Sequence, residues 1–348
     1  MSIQEIFNTA VENKASDIHL VVGLPPMLRI DGELVDIGKK ALGKKEVEQL
    51  IFSVTTEDEK KKFINSKELD FGYEVSAETR LRVNLFFEKG NPGLVARLIS
   101  NKMPSLEELE VTEVIYQLLE LNQGLILITG PTGCGKSTLL AAMINHINSK
   151  RRANIITFED PIEYQFSPDK SVIVQRQLGR DMLSFADGLK HALRQDPNII
   201  MVGEMRDLET IATTITLAET GHLVLATLHT YSAAQTIDRI IDAFPPHQQN
   251  QIRMQLSTTL AGIISQRLLP GKKGGRVAAR EVMINIAAVS NLIRENKIAQ
   301  LRTIIETNSK KGMINMDQDL KRLVSKDLVS KDVAQNYMEN PELLDKLI

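Results

Sequence analysis

The residues with the clearest chemical potential form a glycine-rich run in the middle of the chain, Gly130-Pro131-Thr132-Gly133-Cys134-Gly135-Lys136-Ser137-Thr138. This run fits the P-loop pattern, because it follows an apolar run that ends at Ile128 and precedes a helical pattern that begins at Leu139. Glycines let the backbone turn tightly and direct N–H groups at phosphate oxygens, and a helix N-terminus adds positive potential. We therefore predict that the run binds ATP, with Lys136 at the β and γ phosphates and the Ser137 hydroxyl on Mg²⁺.

Four carboxylates follow two apolar runs further along the chain: Glu159, Asp160, Glu163 and Glu204. Acids at the carboxyl ends of parallel strands point into the ligand crevice of an α/β sheet. Phosphoryl transfer to water needs groups that hold Mg²⁺ and a group that positions the water, and these acids can divide those roles. We predict Ser137, Asp160 and Glu204 as Mg²⁺ ligands, and solvation is the alternative for any single acid. Gly203 stands where many P-loop enzymes carry a first Asp.

Two histidines, His222 and His229, stand at the two ends of another apolar run. A strand of that length separates them by roughly 20 Å, so the two rings cannot contact the same atom. His229, at the carboxyl end, would lie on the ligand side of a parallel sheet, where it could hydrogen-bond the γ-phosphate. From the residues alone, a structural histidine is the preferred interpretation of His229, and a structural or interfacial one is the preferred interpretation of His222.

Three arginines, Arg80, Arg82 and Arg97, lie far before the P-loop in sequence. Arg80 and Arg82 share one face of a predicted strand, because side chains alternate along a strand. A solvated or salt-bridged face is the simpler interpretation. The functional alternative is that these arginines cover the nucleotide phosphates from another domain or subunit.

These residues need a sheet to position them, and the second part of the chain contains apolar runs that alternate with helical patterns. Continuous apolar runs are typical of strands that are buried on both faces of a parallel sheet. The predicted strands are 125–128, 154–158, 198–202 and 222–226. From about Ala287 onward the pattern is helical. The fold class is therefore α/β, with an ATPase domain over 114–348 that includes a C-terminal helical region over about 287–348.

The first part of the chain mixes short helical and strand patterns, which predict a smaller α+β domain over residues 1–98. Ile3, Ile6, Phe7 and Ala10 recur at helical spacing. Further predicted elements are strands at 18–22, 27–30, 81–87 and 94–99, a hairpin turn at Asp31-Gly32, a helix pair over 44–62 and a loop at 90–93. The charged segment 99–113, which contains Pro104, is predicted to link the two domains.

Composition argues against several classes of protein. The chain has 348 residues, a net charge of −2, no Trp and 4% aromatic residues, so its overall charge and its few aromatic side chains do not support nucleic-acid translocation, and only a local basic patch stays open. A single cysteine, Cys134, excludes a disulfide framework and a cysteine-based zinc site within the chain. Cys134 is either a small loop residue or a thiol whose pKa is lowered by the helix N-terminus. We expect a reduced, intracellular protein without a signal peptide or membrane insertion.

Taken together, the motifs resemble the secretion ATPase superfamily and, within it, the PilT-type retraction ATPases, over nearly the whole chain. The matching segments are 15–20 with 23–26, the P-loop, 158–164, 202–207, 220–230 and 288–295. The last segment resembles a C-terminal helix motif that is specific to retraction motors, although that motif reads Ile-Arg where this chain has Val289-Ser290. Cys134 replaces the serine that is usual in the P-loop.

The resemblance implies a RecA-like ATPase domain, a PAS-like N-terminal domain and a homo-hexameric ring that hydrolyses ATP with Mg²⁺. It implies that Glu163 activates water, Glu204 supports Mg²⁺ and His229 senses the γ-phosphate, and that Arg82 and Arg97 cover the nucleotide. It further implies a cytoplasmic motor, docked at the inner face of the cytoplasmic membrane on a pilus platform protein, that drives type IV pilus retraction and twitching motility, with paralogous pilus ATPases as further partners.

Two other functions stay open at this point. The chain could instead drive pilus assembly or type II secretion, although such motors usually carry an extra N-terminal domain and a four-cysteine zinc insertion. It could also be an accessory ring subunit that does not hydrolyse ATP, which the altered Ser290 favours and the intact Lys136, Glu163 and Glu204 oppose.

Overall fold

The computed structural model describes residues 1–30, 32–76, 79–100, 103–342 and 344, and the chain divides into two compact units. The first unit comprises residues 1–103 and 161–165, and the second comprises 104–160 and 166–348. Asp31 of the predicted hairpin turn and residues 101 and 102 of the predicted linker lie outside the described residues. Leu106, from the same predicted linker, is buried in the core of the second unit. The domain boundaries themselves stay a prediction.

The first unit is an antiparallel sheet covered by helices. Its elements are α1 (Ile3–Glu12), β1 (Asp17–Leu20), β2 (Met27–Ile30), β3 (Glu33–Asp36), α2 (Lys44–Phe52), α3 (Glu57–Ser66), β4 (Glu68–Ser76), β5 (Thr79–Glu88) and β6 (Asn91–Ser100). The six strands lie in the order β3-β2-β1-β6-β5-β4. Helix α1 buries Ile3, Ile6, Phe7 and Ala10, as their spacing predicts. The predicted α+β architecture is therefore confirmed.

The loop predicted at residues 90–93 is wrong in its position. Lys89 and Gly90 both have positive φ, at 51° and 75°, and together they form the two-residue turn between β5 and β6. Two successive residues with positive φ match the twist of the adjoining strands, so the hairpin closes there and pairing resumes at once. Glu88 consequently pairs with Asn91, and residues 91–93 belong to the strand.

The second unit is a seven-stranded, mostly parallel sheet with helices on both faces. Its elements are α4 (Glu113–Leu119), β7 (Gly124–Thr129), α5 (Lys136–Lys150), β8 (Asn154–Glu159), β9 (Val172–Gln177), α6 (Phe185–Ala192), β10 (Ile199–Val202), α7 (Leu208–Glu219), β11 (Leu223–Leu228), α8 (Ala233–Asp242), α9 (Pro246–Thr259), β12 (Leu260–Pro270), β13 (Arg276–Ile284), α10 (Ala287–Arg294), α11 (Leu301–Thr307), α12 (Met316–Ser325) and α13 (Lys331–Gln335). The strand order is β13-β12-β7-β11-β10-β8-β9.

The four predicted parallel strands are confirmed as β7, β8, β10 and β11, which are neighbours in the centre of this sheet. Every residue of β7 and β11 is buried. The apolar side chains that alternate across the sheet belong to two separate hydrophobic clusters, one on each face. Because burial of one such side chain contributes about 1.5–3 kcal/mol, these strands form a rigid support for the residues at their ends.

Three further strands, β9, β12 and β13, were not predicted. Strand β12 carries the polar run Ser265-Gln266-Arg267, which interrupts the apolar pattern that marks a central strand. Strand β9 is an edge strand that exposes Val172 and Val174, and its apolar run of three residues is followed by the polar run Gln175-Arg176-Gln177. Within the described residues, no helix has the length and apolar character needed to cross a membrane.

Candidate nucleotide site

The predicted P-loop connects the buried strand β7 to helix α5, which is the setting that the motif requires. Gly130, Gly133 and Gly135 have φ values of 146°, 78° and 85°, in the region that favours glycine. Gly130 needs glycine for a second reason, because a Cβ there would overlap the Gln266 carbonyl oxygen and lie 2.6 Å from Cys134 Sγ. The three glycines therefore shape the loop as predicted.

Lys136 begins helix α5 with its side chain folded back toward the start of the loop. Its Nζ donates to Gly130 O at 2.7 Å and to Pro131 O at 3.0 Å, and the residue is 9% exposed. Ser137, next along the helix, is exposed, and Thr138 is half-buried. The ammonium thus lies inside the turn of the loop, and the Ser137 hydroxyl is accessible to a ligand on the open side.

Cys134 contributes no reactive thiol to the loop. Its side chain is buried, and burial raises the pKa of the thiol even though the Lys136 ammonium opposes that effect. The alternative of a helix N-terminus that lowers this pKa is therefore wrong, because desolvation of the thiolate outweighs the nearby positive charge. The backbone N–H of Cys134 donates to Pro131 O at 3.3 Å.

The carboxyl ends of the central strands bring the P-loop and two of the five predicted catalytic residues, Glu204 and His229, to one edge of the sheet. Strands β7, β11, β10 and β8 are parallel and adjacent, with Leu228 opposite Thr129 and Val202 opposite Phe158. The P-loop, His229, Glu204 and Asp160 follow these strand ends closely, and Glu159 is the last residue of β8. The predicted position of this group at the strand ends is therefore confirmed, and the roles of its residues stay a prediction.

Glu204 lies between a histidine and an arginine. Its Oε1 is 2.7 Å from Arg206 Nε, and its Oε2 is 3.7 Å from His229 Nε2. Burial and the Lys136 ammonium lower the pKa of His229, while Glu204 opposes that shift. The imidazole is therefore neutral at neutral pH, with one nitrogen that can donate and one that can accept a hydrogen bond.

Gly203 lies where the chain passes closest to strand β8. Its N–H donates to Phe158 O at 2.7 Å, and its carbonyl oxygen accepts from the Thr227 hydroxyl. A Cβ at this position would lie 2.9 Å from Phe158 O. The missing Asp at the first position of this acidic motif thus has a steric cause, and Glu204 is the only acid that directly follows β10.

The two acids after β8 have different surroundings. Glu159 is buried, and its Oε1 accepts hydrogen bonds from Thr157 Oγ1 at 2.6 Å and from Gln175 Nε2 at 3.0 Å. Asp160 is exposed. Glu159 is therefore bound to its own and a neighbouring strand, whereas Asp160 is accessible to solvent and to a hydrated cation.

The first unit holds the remaining predicted site residues. Arg82 and Arg97 are directly opposite each other on β5 and β6, so their side chains lie on the same face of the sheet. Arg82 Nη1 is 3.7 Å from Glu163 Oε1, and Arg97 Nε is 2.9 Å from Asp17 Oδ1. Arg82 and Glu163 are thus ion-pair neighbours within the first unit. Their roles at the nucleotide stay a prediction.

The two histidines around β11 differ in their contacts. His222 Nδ1 lies 2.9 Å from Leu217 O and 3.2 Å from Thr220 Oγ1, at the end of helix α7. These contacts match the structural interpretation of His222. The side chain of His229, in contrast, is 47% exposed, at the edge that carries the P-loop.

The segment that resembles the retraction motif forms helix α10, with Val289 and Ile293 buried. Ser290 Oγ donates to Ser257 O at 2.8 Å and lies 2.9 Å from Asn285 Oδ1. The side chain at the position of the family arginine is thus half-buried and turned toward the end of helix α9.

A pocket adjoins the outer side of the P-loop within the second unit. Its lining residues are Pro131, Thr132, Gly133, Cys134, Tyr231, Arg267, Leu268 and Tyr337. The Arg267 guanidinium lies over the Tyr231 ring, 5.8 Å from its centroid, and donates to Tyr337 O at 3.2 Å. Two aromatic rings and a flat cation form a suitable wall for a planar ring system.

Sequence reasoning missed three residues that contact the predicted site. Arg206 pairs with Glu204, while Gln266 and Arg280 form a buried chain of hydrogen bonds to the P-loop. The position of Arg206, two residues after Glu204, is a weak local signal. Gln266 and Arg280 had no such signal, since they lie more than a hundred residues beyond the loop in sequence.

The parallel sheet, the P-loop and the acidic strand ends define a P-loop ATPase with a second, smaller α+β unit. The family described as "Type II/IV secretion system protein" matches residues 1–340, and the chain belongs to this family.

Three similar proteins illustrate the relationship. The "Type IV pilus retractation ATPase PilT" of Pseudomonas aeruginosa is 46% identical over 342 residues, which cover 98% of this chain and 99% of that protein. A "Twitching motility protein" of Neisseria gonorrhoeae is 43% identical over 98% of this chain and 91% of its own length. The crystal structure of the pilus retraction motor PilT with bound ADP superposes with a TM-score of 0.92, at 43% identity, and covers 99% of both chains.

Proposed function

We propose that this chain hydrolyses ATP to drive the retraction of type IV pili. The main support is its 46% identity to a pilus retraction ATPase along nearly the full length of both chains. The P-loop, Glu204 and His229, which ATP hydrolysis would use, lie at one edge of the sheet. The similar crystal structure of PilT contains bound ADP, which supports nucleotide binding by this chain.

In this proposal residues 130–138 bind the nucleotide, with Lys136 at the β and γ phosphates. Mg²⁺ arrives with ATP and usually keeps several waters, so one or two carboxylates are enough to hold it together with the P-loop hydroxyl and the phosphates. The accessible Ser137 hydroxyl and the Glu204 and Asp160 carboxylates fit that requirement. The neutral His229 would hydrogen-bond the γ-phosphate.

Glu163 positions the attacking water in this proposal, and Arg82 and Arg97 neutralise phosphate charge. The support is limited to the first unit, where Arg82 lies beside Glu163 and opposite Arg97.

We further propose that the chain forms a homo-hexamer, which docks on a platform protein at the cytoplasmic face of the inner membrane and acts together with paralogous pilus ATPases. The functional domains are 1–98 and 114–348, joined by a linker at 99–113.

The enzymatic part is tested by steady-state ATP hydrolysis with purified protein and Mg²⁺. Lys136→Ala should abolish nucleotide binding, while Glu163→Gln should preserve ADP binding and lower kcat about 10²- to 10⁴-fold, as expected for loss of a group that positions or activates water. Glu209→Ala, an exposed acid in the first turn of α7, is the matched control and should leave both unchanged. A normal kcat for Glu163→Gln would refute the role of Glu163.

The direction of work is tested in cells by counting surface pili after the gene is replaced with a Glu204→Ala version. A retraction motor predicts more pili and loss of twitching motility, with Glu209→Ala again unaffected. Cells without pili would indicate an assembly motor. Robust binding of ADP without turnover by the wild-type protein would instead indicate an accessory subunit.

A further inference from the structure

Gln266, in the middle of strand β12, lies against the start and the middle of the P-loop. Its Nε2 donates to Cys134 O at 2.6 Å. A Cβ at Gly135 would lie 3.0 Å from the same Nε2, and a Cβ at Gly130 would overlap the Gln266 carbonyl oxygen. Gln266 therefore excludes a side chain at Gly130 and closely approaches Gly135, and both glycines also have positive φ.

The orientation of the Gln266 amide is settled by the chemistry of its second partner. Arg280 Nε donates to Gln266 Oε1 at 2.8 Å, and a guanidinium has no acceptor. The amide oxygen must therefore face Arg280, so the amide nitrogen faces Cys134 O. Arg280 is in turn held by Leu109 O, which accepts from Nη1 at 2.9 Å, and by Asp319 Oδ2, which accepts from its backbone N–H at 2.7 Å.

The hydrogen bond to Cys134 O fixes the direction of a neighbouring N–H group. The Cys134–Gly135 peptide unit is planar and trans, so its C=O and N–H point in opposite directions. Because the carbonyl is held against Gln266, the Gly135 N–H points away from Gln266. We propose that Gln266 is a positioning residue, which orients the Cys134–Gly135 peptide so that the Gly135 N–H is directed at the bound phosphates; this rests on the nucleotide-binding role proposed above.

Water cannot substitute for this contact, because the two side chains are nearly inaccessible. Gln266 is 3% exposed and Arg280 is 5% exposed. Removal of the buried Gln266 amide leaves the Cys134 carbonyl oxygen without a hydrogen-bond donor, so the Cys134–Gly135 peptide is free to rotate toward another partner. Rotation would turn a carbonyl oxygen, in place of an N–H, toward the phosphates.

The test uses two substitutions of Gln266 in the full-length protein. Gln266→Met fills a similar volume without a donor, and Gln266→Glu keeps an acceptor for Arg280 but loses the donor to Cys134. The phosphate contact acts in the ground state and the transition state alike, so its loss raises KM and changes kcat little. We expect the KM for ATP and the Kd for ADP to rise about tenfold in both variants, with kcat within about twofold of wild type.

The matched control is Gln249→Met, because the half-buried Gln249 also donates its amide to a backbone carbonyl, Phe244 O at 3.1 Å, away from the loop. It should leave KM, Kd and kcat unchanged. An unchanged Kd for ADP in Gln266→Met, a normal Kd in Gln266→Glu, or a fall in kcat at constant KM would each overturn the proposal. If the wild-type protein bound no ADP, the proposed function itself would fail, and this inference with it.

Discussion

Gly203 allows a sharp test of how the sheet positions the catalytic acid. A Cβ at this position would lie 2.9 Å from Phe158 O and 3.4 Å from Glu159 Cα. The φ of Gly203 is not in the left-handed region, so the overlap, and not the backbone angle, opposes a side chain. The N–H of Gly203 is also bound to Phe158 O, which prevents the strand from moving aside without the loss of a hydrogen bond.

The expected cost of Gly203→Ala follows from two opposing effects. Overpacking of this kind costs about 1–3 kcal/mol, and removal of a glycine from the unfolded chain returns about 0.4–1 kcal/mol. The net loss of about 0–2.6 kcal/mol, with a mid-point of about 1.3 kcal/mol, corresponds at that mid-point to a fall in Tm of about 3–5 °C for a domain of this size. Because Glu204 is the next residue, its carboxylate shifts, and we expect kcat to fall about 10- to 100-fold.

Gly203→Asp separates this explanation from motif-based reasoning. If the missing Asp were a catalytic deficit, restoring it would raise the ATPase rate. The structure predicts the opposite, because the Asp Cβ meets the same carbonyl oxygen. Tm by scanning calorimetry and kcat by steady-state hydrolysis are the measurements. Gly274→Ala, whose Cβ would meet nothing within 4 Å, is the control, with a cost of about 1 kcal/mol from positive φ and an unchanged kcat. A Gly203→Asp protein with wild-type Tm and kcat would refute the argument.

Two further predictions follow from the pKa shifts at the site. The pKa of His229 should lie below 6.5 in an NMR titration, in which the His229 signal is assigned by its loss in His229→Gln. Lys136→Met should raise the pKa of His229, because the Lys136 ammonium lowers it; an unchanged pKa would exclude the ammonium as a cause. The unfolded chain binds this proton more readily than the folded chain does. The free energy of unfolding should therefore fall as the pH falls from 6.5 toward the lower pKa of His229 in the folded chain. Cys134 should react slowly with a thiol reagent at pH 8 in the folded protein and rapidly after unfolding, because its thiol is buried and its pKa is raised; fast labelling of the folded protein would contradict this.

The sequence predicted those parts of the structure that depend on local patterns. The strands β7, β8, β10 and β11 each bury a continuous apolar run, and the pattern of such a run is visible without tertiary information. The P-loop is equally local, because its turns need positive φ at Gly130, Gly133 and Gly135, and glycine is the residue that adopts positive φ most readily. The turn at Lys89-Gly90 was misplaced, since a lysine with positive φ has no such local signature.

The contacts around the P-loop were not predictable in the same way. Gln266 lies in a strand with a mixed polar pattern, and its partners Cys134 and Arg280 are distant from it in sequence. The same applies to the steric reason for Gly203, which depends on the carbonyl of Phe158 in a neighbouring strand. A buried polar side chain is recognised only when its hydrogen-bond partners are known, because the sequence does not distinguish a buried, hydrogen-bonded glutamine from an exposed one.

By itself, therefore, the sequence determined that this chain contains a P-loop ATPase core, since the spacing of glycines, Lys136 and apolar runs is set by backbone conformation and burial. Only the tertiary structure decided how the loop is held, which acid the sheet can place beside His229, and that Arg82 pairs with Glu163. These are contacts between segments far apart in the chain, and their geometry depends on how strands pair and pack.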